Sequence, residues 1–370
     1  MRGKAEDYVI EACGGFPLEG TLVGAVRYGE GHINDTFCAY CQTDAGDCKR
    51  YIIQRINTDT FQDPDGLMDN IVAVTDFLRE ASVKSGGDPE RDTMTVLRTK
   101  DGKYYYTDSV GSCWRVYPFV EGTVCLQQVE KPEQFYESAR AFGNFQRLLN
   151  DFDASQLNET IEKFHDTRDR YRQFEEAVEK DAAGRAEKAK EEIRFVRERK
   201  DEVGVLMDKL DAGELPLRVT HNDTKLNNVL LDKETGEGVC VIDLDTVMPG
   251  LSLHDFGDSI RFGANTNAED EPDLSKVNFS LDLFEVYTKG FLETAGETLT
   301  EEEKKNLPWG AKLMTFECGM RFLTDYLEGD HYFRTHRPDQ NLDRTRTQFK
   351  LVKDMEEQWD EMNKVVEKYI

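Results

Sequence analysis

His221, Asp223 and Asn228 stand in the order H-x-D-x-x-x-x-N, and a short apolar run, Cys240-Val241-Ile242, leads into Asp243. These residue types at this spacing suit phosphoryl transfer. That reaction asks little covalent chemistry of a protein. It needs a group that orients the attacking hydroxyl and takes its proton, and cations that bridge and neutralise the phosphates. Asp223 suits the first task as the catalytic carboxylate. Asn228 and Asp243 suit the second, because magnesium prefers hard oxygen ligands and shares them with the nucleotide. A polar turn between strands also selects Asp and Asn. It has no need, however, of a fixed step from Asp223 to Asn228 together with a second Asp closing an apolar strand.

The elements that must position these residues divide the chain in two. Up to about residue 120 it reads as strands and turns with one helix. Strand candidates at 21–28, 37–41 and 51–56 are β-branched and aromatic, and further ones fall at 94–98 and 104–108. Residues 67–78 carry a helical apolar stripe. The run from Trp114 to Gly122 ends in Pro and Gly, which suggests a connector between two lobes. Beyond it helices dominate: 132–149, then 276–295, 309–328 and the C-terminus from about 344. Residues 160–210 alternate Glu, Lys and Arg over a thin apolar stripe and read as solvated helices held partly by i,i+4 ion pairs.

A phosphoryl-transfer site also needs something over the phosphates. Gly31 lies in a polar, glycine-bearing loop, Gly29 to Thr36, whose backbone N–H groups can approach phosphate. In Tyr51-Ile52-Ile53-Gln54 the last residue falls where protein kinases have a phosphate-pairing Lys. Gln54 cannot carry that charge, and Arg55 points to the opposite face of a strand.

Composition excludes several classes. The chain has 73 acidic and 47 basic residues among 370, a formal charge of −26. Such a surface repels nucleic acid and anionic membranes, so neither is expected as a partner. Hydrophobic residues at 38%, with 21 Phe, supply a core and argue against global disorder. The charged first residues and the absence of any long apolar run predict a cytoplasmic protein without a secretory leader or membrane helix. Eight scattered cysteines are expected to be reduced thiols. Cys38, Cys41 and Cys48 lack the second Cys or His pair that a zinc site needs.

With these stretches assembled, the chain resembles the aminoglycoside phosphotransferase and choline kinase family over nearly its full length, and within it the N-acetylhexosamine 1-kinase branch. The stretches are G-H-I-N-D-T-F from Gly31, Y-I-I-Q-R-I-N from Tyr51, W-R-V-Y-P-F-V-E-G from Trp114, H-N-D-T-K-L-N-N from His221, I-D-L-D-T-V-M-P-G from Ile242 and D-F-G-D-S-I-R from Asp255. The resemblance implies an α+β, two-lobed protein kinase-like fold. A small antiparallel-sheet N-lobe over 1–120 would sit on a larger, mainly helical C-lobe over 121–370, with ATP between them and Mg2+ as cofactor. It implies transfer of the ATP γ-phosphate to the anomeric hydroxyl of an N-acetylhexosamine, giving the 1-phosphate. By position in the motifs, Gly31, Gln54, Tyr117 and Phe119 would meet the nucleotide. Asp223, His32, Phe262, Arg321 and Tyr332 would meet the sugar. Asp245 and Asp258 would support the metal site, as carboxylates near a metal commonly orient its ligands. Nothing in the sequence points to an obligate protein partner. The competing readings are another small-molecule kinase, acting on an aminoglycoside, choline or an amino alcohol, and a nucleotide-binding regulator without activity. Intact Asp223, Asn228 and Asp243 speak against the latter.

Overall fold

The structure, a computed structural model, describes residues 4–29 and 33–370. Gly31 and His32 lie outside the described residues. A short helix, Val9–Gly14 (α1), precedes three antiparallel strands, Thr21–Arg27 (β1), Asp35–Gln42 (β2) and Cys48–Arg55 (β3). Side chains alternate across these strands. Phe37, Ala39 and Cys41 of β2 turn toward Ile53 of β3 and the underside of α1, where they form one core with Trp114 and Val116. Cys38, three residues from Cys41, therefore faces the other way.

Pro64–Lys84 (α2) starts where Asp63 accepts the Gly66 amide and Pro occupies the first turn, a favourable helix entry. Its stripe of Leu67, Met68, Ile71, Val74 and Leu78 packs with Phe145, Val219, Leu244 and Val247, so this core spans both lobes. The short Pro89–Asp92 (α3) follows, then Tyr106–Thr107 (β4) and Cys113–Pro118 (β5), giving a five-stranded sheet in the order β1-β2-β3-β5-β4. The strand expected at 94–98 does not form. Only Leu97 bridges to Val116, through one amide bond of 2.9 Å, because the two-residue β4 occupies the rest of that edge.

The chain enters the helical lobe through Thr123–Cys125 (β6). Short strands Arg218–Thr220 (β7), Val229–Asp232 (β8), Gly238–Val241 (β9) and Met248–Gly250 (β10) frame the motif, with β6-β8-β9 in one sheet and β7 paired with β10. The helices are Pro132–Leu148 (α4), Thr167–Lys180 (α5), Lys190–Glu198 (α6), Val205–Asp211 (α7), Ser252–Gly263 (α8), Leu281–Ala295 (α9), Glu301–Lys305 (α10), Leu307–Glu328 (α11), Gln340–Glu357 (α12) and Trp359–Tyr369 (α13). The helix expected from 276 starts at Leu281, because the Ser280 hydroxyl caps it by accepting the Leu283 amide. The charge-rich run becomes α5, α6 and α7. It carries surface ion pairs such as Arg197–Glu175 at 2.8 Å, and its thin stripe, Phe174, Ile193, Phe195, Val196 and Leu206, enters the main core. Among the described residues no helix is long and apolar enough to cross a membrane. The architecture is the kinase-like one: a curled antiparallel sheet over a helical remainder.

Candidate active site

The sequence H-N-D-T-K follows β7 directly. The turn is made at Asn222, whose φ of 64° lies in the left-handed region that Asn tolerates better than most residues. Buried backbone N–H groups in such a turn need partners, and α8 supplies them. The Asp255 carboxylate accepts the His221 amide at 2.9 Å and the Asn222 amide at 2.8 Å, and Gln146 adds a third donor at 2.6 Å. Burial raises the Asp255 carboxyl above its ordinary range, and these donors oppose the rise. Asp258, one turn along α8, accepts the Thr224 amide at 3.0 Å. The His221 ring takes the Asp223 amide on Nδ1 at 3.2 Å, so its Nε2–H donates to the Ile242 carbonyl at 2.9 Å. One imidazole thus ties the loop holding Asp223 to the strand end holding Asp243.

The three motif residues come together. The Asn228 amide nitrogen donates to the Asp223 carbonyl at 2.7 Å and to its carboxylate at 3.2 Å, which leaves Asn228 Oδ1 without a hydrogen bond among the described residues. Asp243, at φ 63°, heads the turn toward Asp245. It opens on the cleft, yet the protein mass around it, and then the Asp245 and Asp223 charges, push its carboxyl above the usual range. A hard oxygen beside carboxylates that repel one another fits a divalent cation, so Asn228 and Asp243 can hold magnesium. Asp223 behaves differently. Desolvation would raise it, but Lys225, with Nζ at 2.6 Å, holds it below the ordinary value and ionised. Lys225 is the Lys of H-N-D-T-K, and the sequence alone assigns it no role.

Gln54 lies on the cleft face of the sheet, between Thr36 and Arg115 in register. Arg55 points away and pairs with Asp35 at 2.5 Å. Arg115 is the site residue that sequence reasoning missed. It is 1% exposed, bonds Gln54 twice, and meets Asp245 Oδ1 at 2.5 Å. An Arg inside an otherwise apolar strand was the available signal, since charges are almost never fully buried unless paired. Asp245 also accepts from Asn34 Nδ2 at 2.5 Å, so the end of the glycine-bearing loop and β5 both attach to the turn that Asp243 heads. Tyr117 lies buried on β5, its ring 5.5 Å from the Arg115 guanidinium. Phe119 is fixed by the Tyr28 ring edge-on at 5.6 Å and by the Arg50 guanidinium 3.7 Å over its face.

Arg321 and Tyr332, expected at the sugar, meet. The guanidinium lies 5.1 Å from the Phe164 ring, 5.7 Å from Tyr332 and 5.6 Å from Phe333, with one long hydrogen bond, 3.5 Å, to the Tyr332 hydroxyl. Phe164 lies tilted against His165, their ring centroids 4.3 Å apart, and His165 Nε2 approaches the Asn222 carbonyl at 3.4 Å, so this group adjoins the Asp223 loop. Glu317 receives His165 at 2.8 Å and Thr167 at 2.6 Å; burial pushes its carboxyl up, but His165, Arg321 and Arg170 hold it down at about 2. Phe262, half-buried at the end of α8, makes no ring contact with this group among the described residues. Its neighbour Arg261 bonds Asp258 at 2.9 Å and Glu269 at 2.7 Å.

Residues 25–285 match the model of a family described as the phosphotransferase enzyme family. Among solved structures, a microcompartment-associated aminopropanol kinase is 14% identical, with 97% of this chain and 98% of that one covered and a TM-score of 0.55. A choline kinase from Cryptosporidium parvum Iowa II is 13% identical over 94% of this chain and 92% of that one, with a TM-score of 0.57. An aminoglycoside phosphotransferase from Alicyclobacillus acidocaldarius is 12% identical over 97% and 96%, also at 0.57. At such identities these likenesses speak for the fold. The family match spans more than half of the sequence, and the chain belongs to the phosphotransferase enzyme family.

Proposed function

We propose that this phosphotransferase moves the γ-phosphate of ATP to the anomeric hydroxyl of an N-acetylhexosamine. Residues 1–120 then clamp the nucleotide, with Gln54, Tyr117 and Phe119 among its contacts, and residues 121–370 carry the catalytic loop and the acceptor. The observation that carries the acceptor class is the charge around Arg321. Aminopropanol and choline kinases, the neighbours in fold, are named for cationic acceptors, and an ammonium group calls for carboxylates facing it. Arg321 instead stands among Phe164, Tyr332 and Phe333 without an ion pair among the described residues. A second guanidinium, Arg170, is close enough that burial first and the Arg321 charge next lower its hold on its proton. Glu317, the carboxylate beside them, is taken up by His165 and Thr167, so the group offers an amine no free carboxylate. It suits a neutral sugar, whose carbonyl and hydroxyl oxygens accept N–H donors and whose C–H face rests on aromatic rings.

In this reading Asp223 orients the anomeric hydroxyl and accepts its proton. Lys225 keeps Asp223 ionised and adds positive charge beside the transferring group. An anomeric hydroxyl is more acidic than the other sugar hydroxyls, so an ordinary carboxylate suffices as base. Asn228 and Asp243 would hold magnesium, which when bound would supply positive charge to the phosphates. Asp255 and Asp258 hold the loop in shape from α8.

The test is incubation with ATP, magnesium chloride and, in parallel, N-acetylglucosamine, N-acetylgalactosamine, an aminoglycoside and choline, with phosphorus NMR of each product. The expected product shows coupling between phosphorus and the anomeric proton, and a methyl glycoside of the sugar does not react. A 6-phosphate, or phosphorylated choline or aminoglycoside in place of the sugar phosphate, overturns the reading.

A further inference from the structure

Kinase-like sites carry a lysine on the strand equivalent to β3 to meet the nucleotide phosphates, and this chain has Gln54 there. We propose that the pair Gln54–Arg115 does the lysine's work: Arg115 fixes and polarises the Gln54 amide, and Gln54 donates the N–H that meets a nucleotide phosphate oxygen. The inference rests on the phosphotransferase reading of the site.

The argument begins with which end of the amide faces which way. A guanidinium has donors and no acceptor. Arg115 Nε and Nη2 reach Gln54 Oε1 at 3.0 and 2.9 Å, so the amide oxygen must face Arg115 and the amide nitrogen must face away. Nε2 gives one hydrogen to Thr36 Oγ1 at 3.0 Å. Its second hydrogen has no partner among the described residues. Thr36, Gln54 and Arg115 are directly opposed on adjacent strands and share the cleft face, while Phe37, Ile53 and Val116 fill the other. Gln54 is only half-buried, so a ligand in the cleft can reach it.

Arg115 itself is too deep to do so. It is 1% exposed, and Asp245 Oδ1 lies 2.5 Å from its Nη2. Its charge acts one bond removed. Two N–H donors on one amide oxygen draw electron density toward it, and in a low-dielectric setting this strengthens the amide as a donor on its other side. The Arg115 Nη1 atom is buried without a hydrogen-bond partner, a rare state for a polar atom. One donor of the guanidinium therefore stays unused although its charge is paired with Asp245. A lysine at 54 would stand against this guanidinium, which gives a physical reason for the glutamine.

Binding of ADP and of adenosine to the full chain, in magnesium chloride, tests the pair. Wild type is expected to bind ADP more tightly than adenosine. Gln54→Glu still accepts from Arg115 but offers an oxygen to the phosphates. It should lose about tenfold or more of ADP affinity, the factor for one hydrogen bond to a charged oxygen, with adenosine affinity unchanged. Arg115→Met should show the same selective loss. Gln54→Lys in the Arg115→Met background restores an ordinary lysine and should regain ADP affinity, whereas Gln54→Lys alone should not. A wild-type ADP-to-adenosine ratio in Gln54→Glu overturns the inference, as does a double variant no better than Arg115→Met. If the Arg115 variants do not fold, the Gln54→Glu ratio alone decides. If wild type itself shows no preference for ADP, the phosphotransferase reading fails instead.

Discussion

Asp223 and Asp243 have the same side chain and opposite electrostatics. Lys225 offsets the burial of Asp223 and keeps it ionised, whereas Asp243 feels its surroundings and two neighbouring carboxylates, which favour the proton. The division matches a proton acceptor that must stay charged and a ligand awaiting a cation. Asp223→Asn should therefore lower kcat by about 10² to 10⁴, the usual worth of a general base, while ADP still binds as to wild type. A variant retaining more than a tenth of the activity removes Asp223 from that role. Asp243→Ala should fail through the metal: the magnesium concentration for half-maximal activity should rise, and productive ATP binding should weaken with it. An unchanged magnesium titration contradicts the assignment.

At the scale of elements, α8 organises the site, since Asp255 and Asp258 on one of its faces hold the catalytic loop while Gly257 allows it to cross α11 closely. A Cβ at 257 would stand 2.2 Å from the Gly310 carbonyl oxygen and 2.7 Å from the Met314 side chain. Backbone cannot give as a flexible side chain can. Gly257→Ala should cost roughly 1–3 kcal/mol by overpacking, read as a lowered Tm, and should reduce kcat because Asp255 and Asp258 move with the helix. Stability and activity equal to wild type would show that the crossing has slack. The sequence made much of this layer legible. Long stripes such as 67–78 and 132–149 announced α2 and α4, and the spacing from His221 to Asn228 announced the loop. It did not announce that 94–98 pairs only through Leu97, because the register at a sheet edge is a tertiary matter. It did not reveal Arg115 either, because the partner that explains it lies on another strand and the carboxylate that pairs with it lies in the other lobe.

At the scale of the whole molecule, a chain of charge −26 still gathers two guanidinium groups, Arg321 and Arg170, beside the His165–Glu317 pair, so net charge says little about local charge. The same region makes the fold sensitive to acid. His254 on α8 is buried with its ring 5.3 Å from that of His165. Burial first, and the neighbouring His165 next, depress its pKa to about 3, while Glu317 and Asp166 pull the other way. An unfolded chain protonates this histidine near pH 6.5. As pH falls below that value the unfolded state takes up a proton that the folded state refuses, and stability rises with pH wherever the unfolded state binds more protons. The contribution is therefore intact above about 6.5, declines steadily below it, and is fully lost near pH 3. Its slope approaches one proton, roughly 1 to 1.5 kcal/mol per pH unit. Between pH 6.5 and 5 most carboxylates are still ionised, which isolates the histidines. Urea unfolding of wild type and of His254→Gln across that window should show a shallower decline in the variant, by close to one proton, whatever its absolute stability. Parallel declines would mean that His254 is as readily protonated in the fold as outside it.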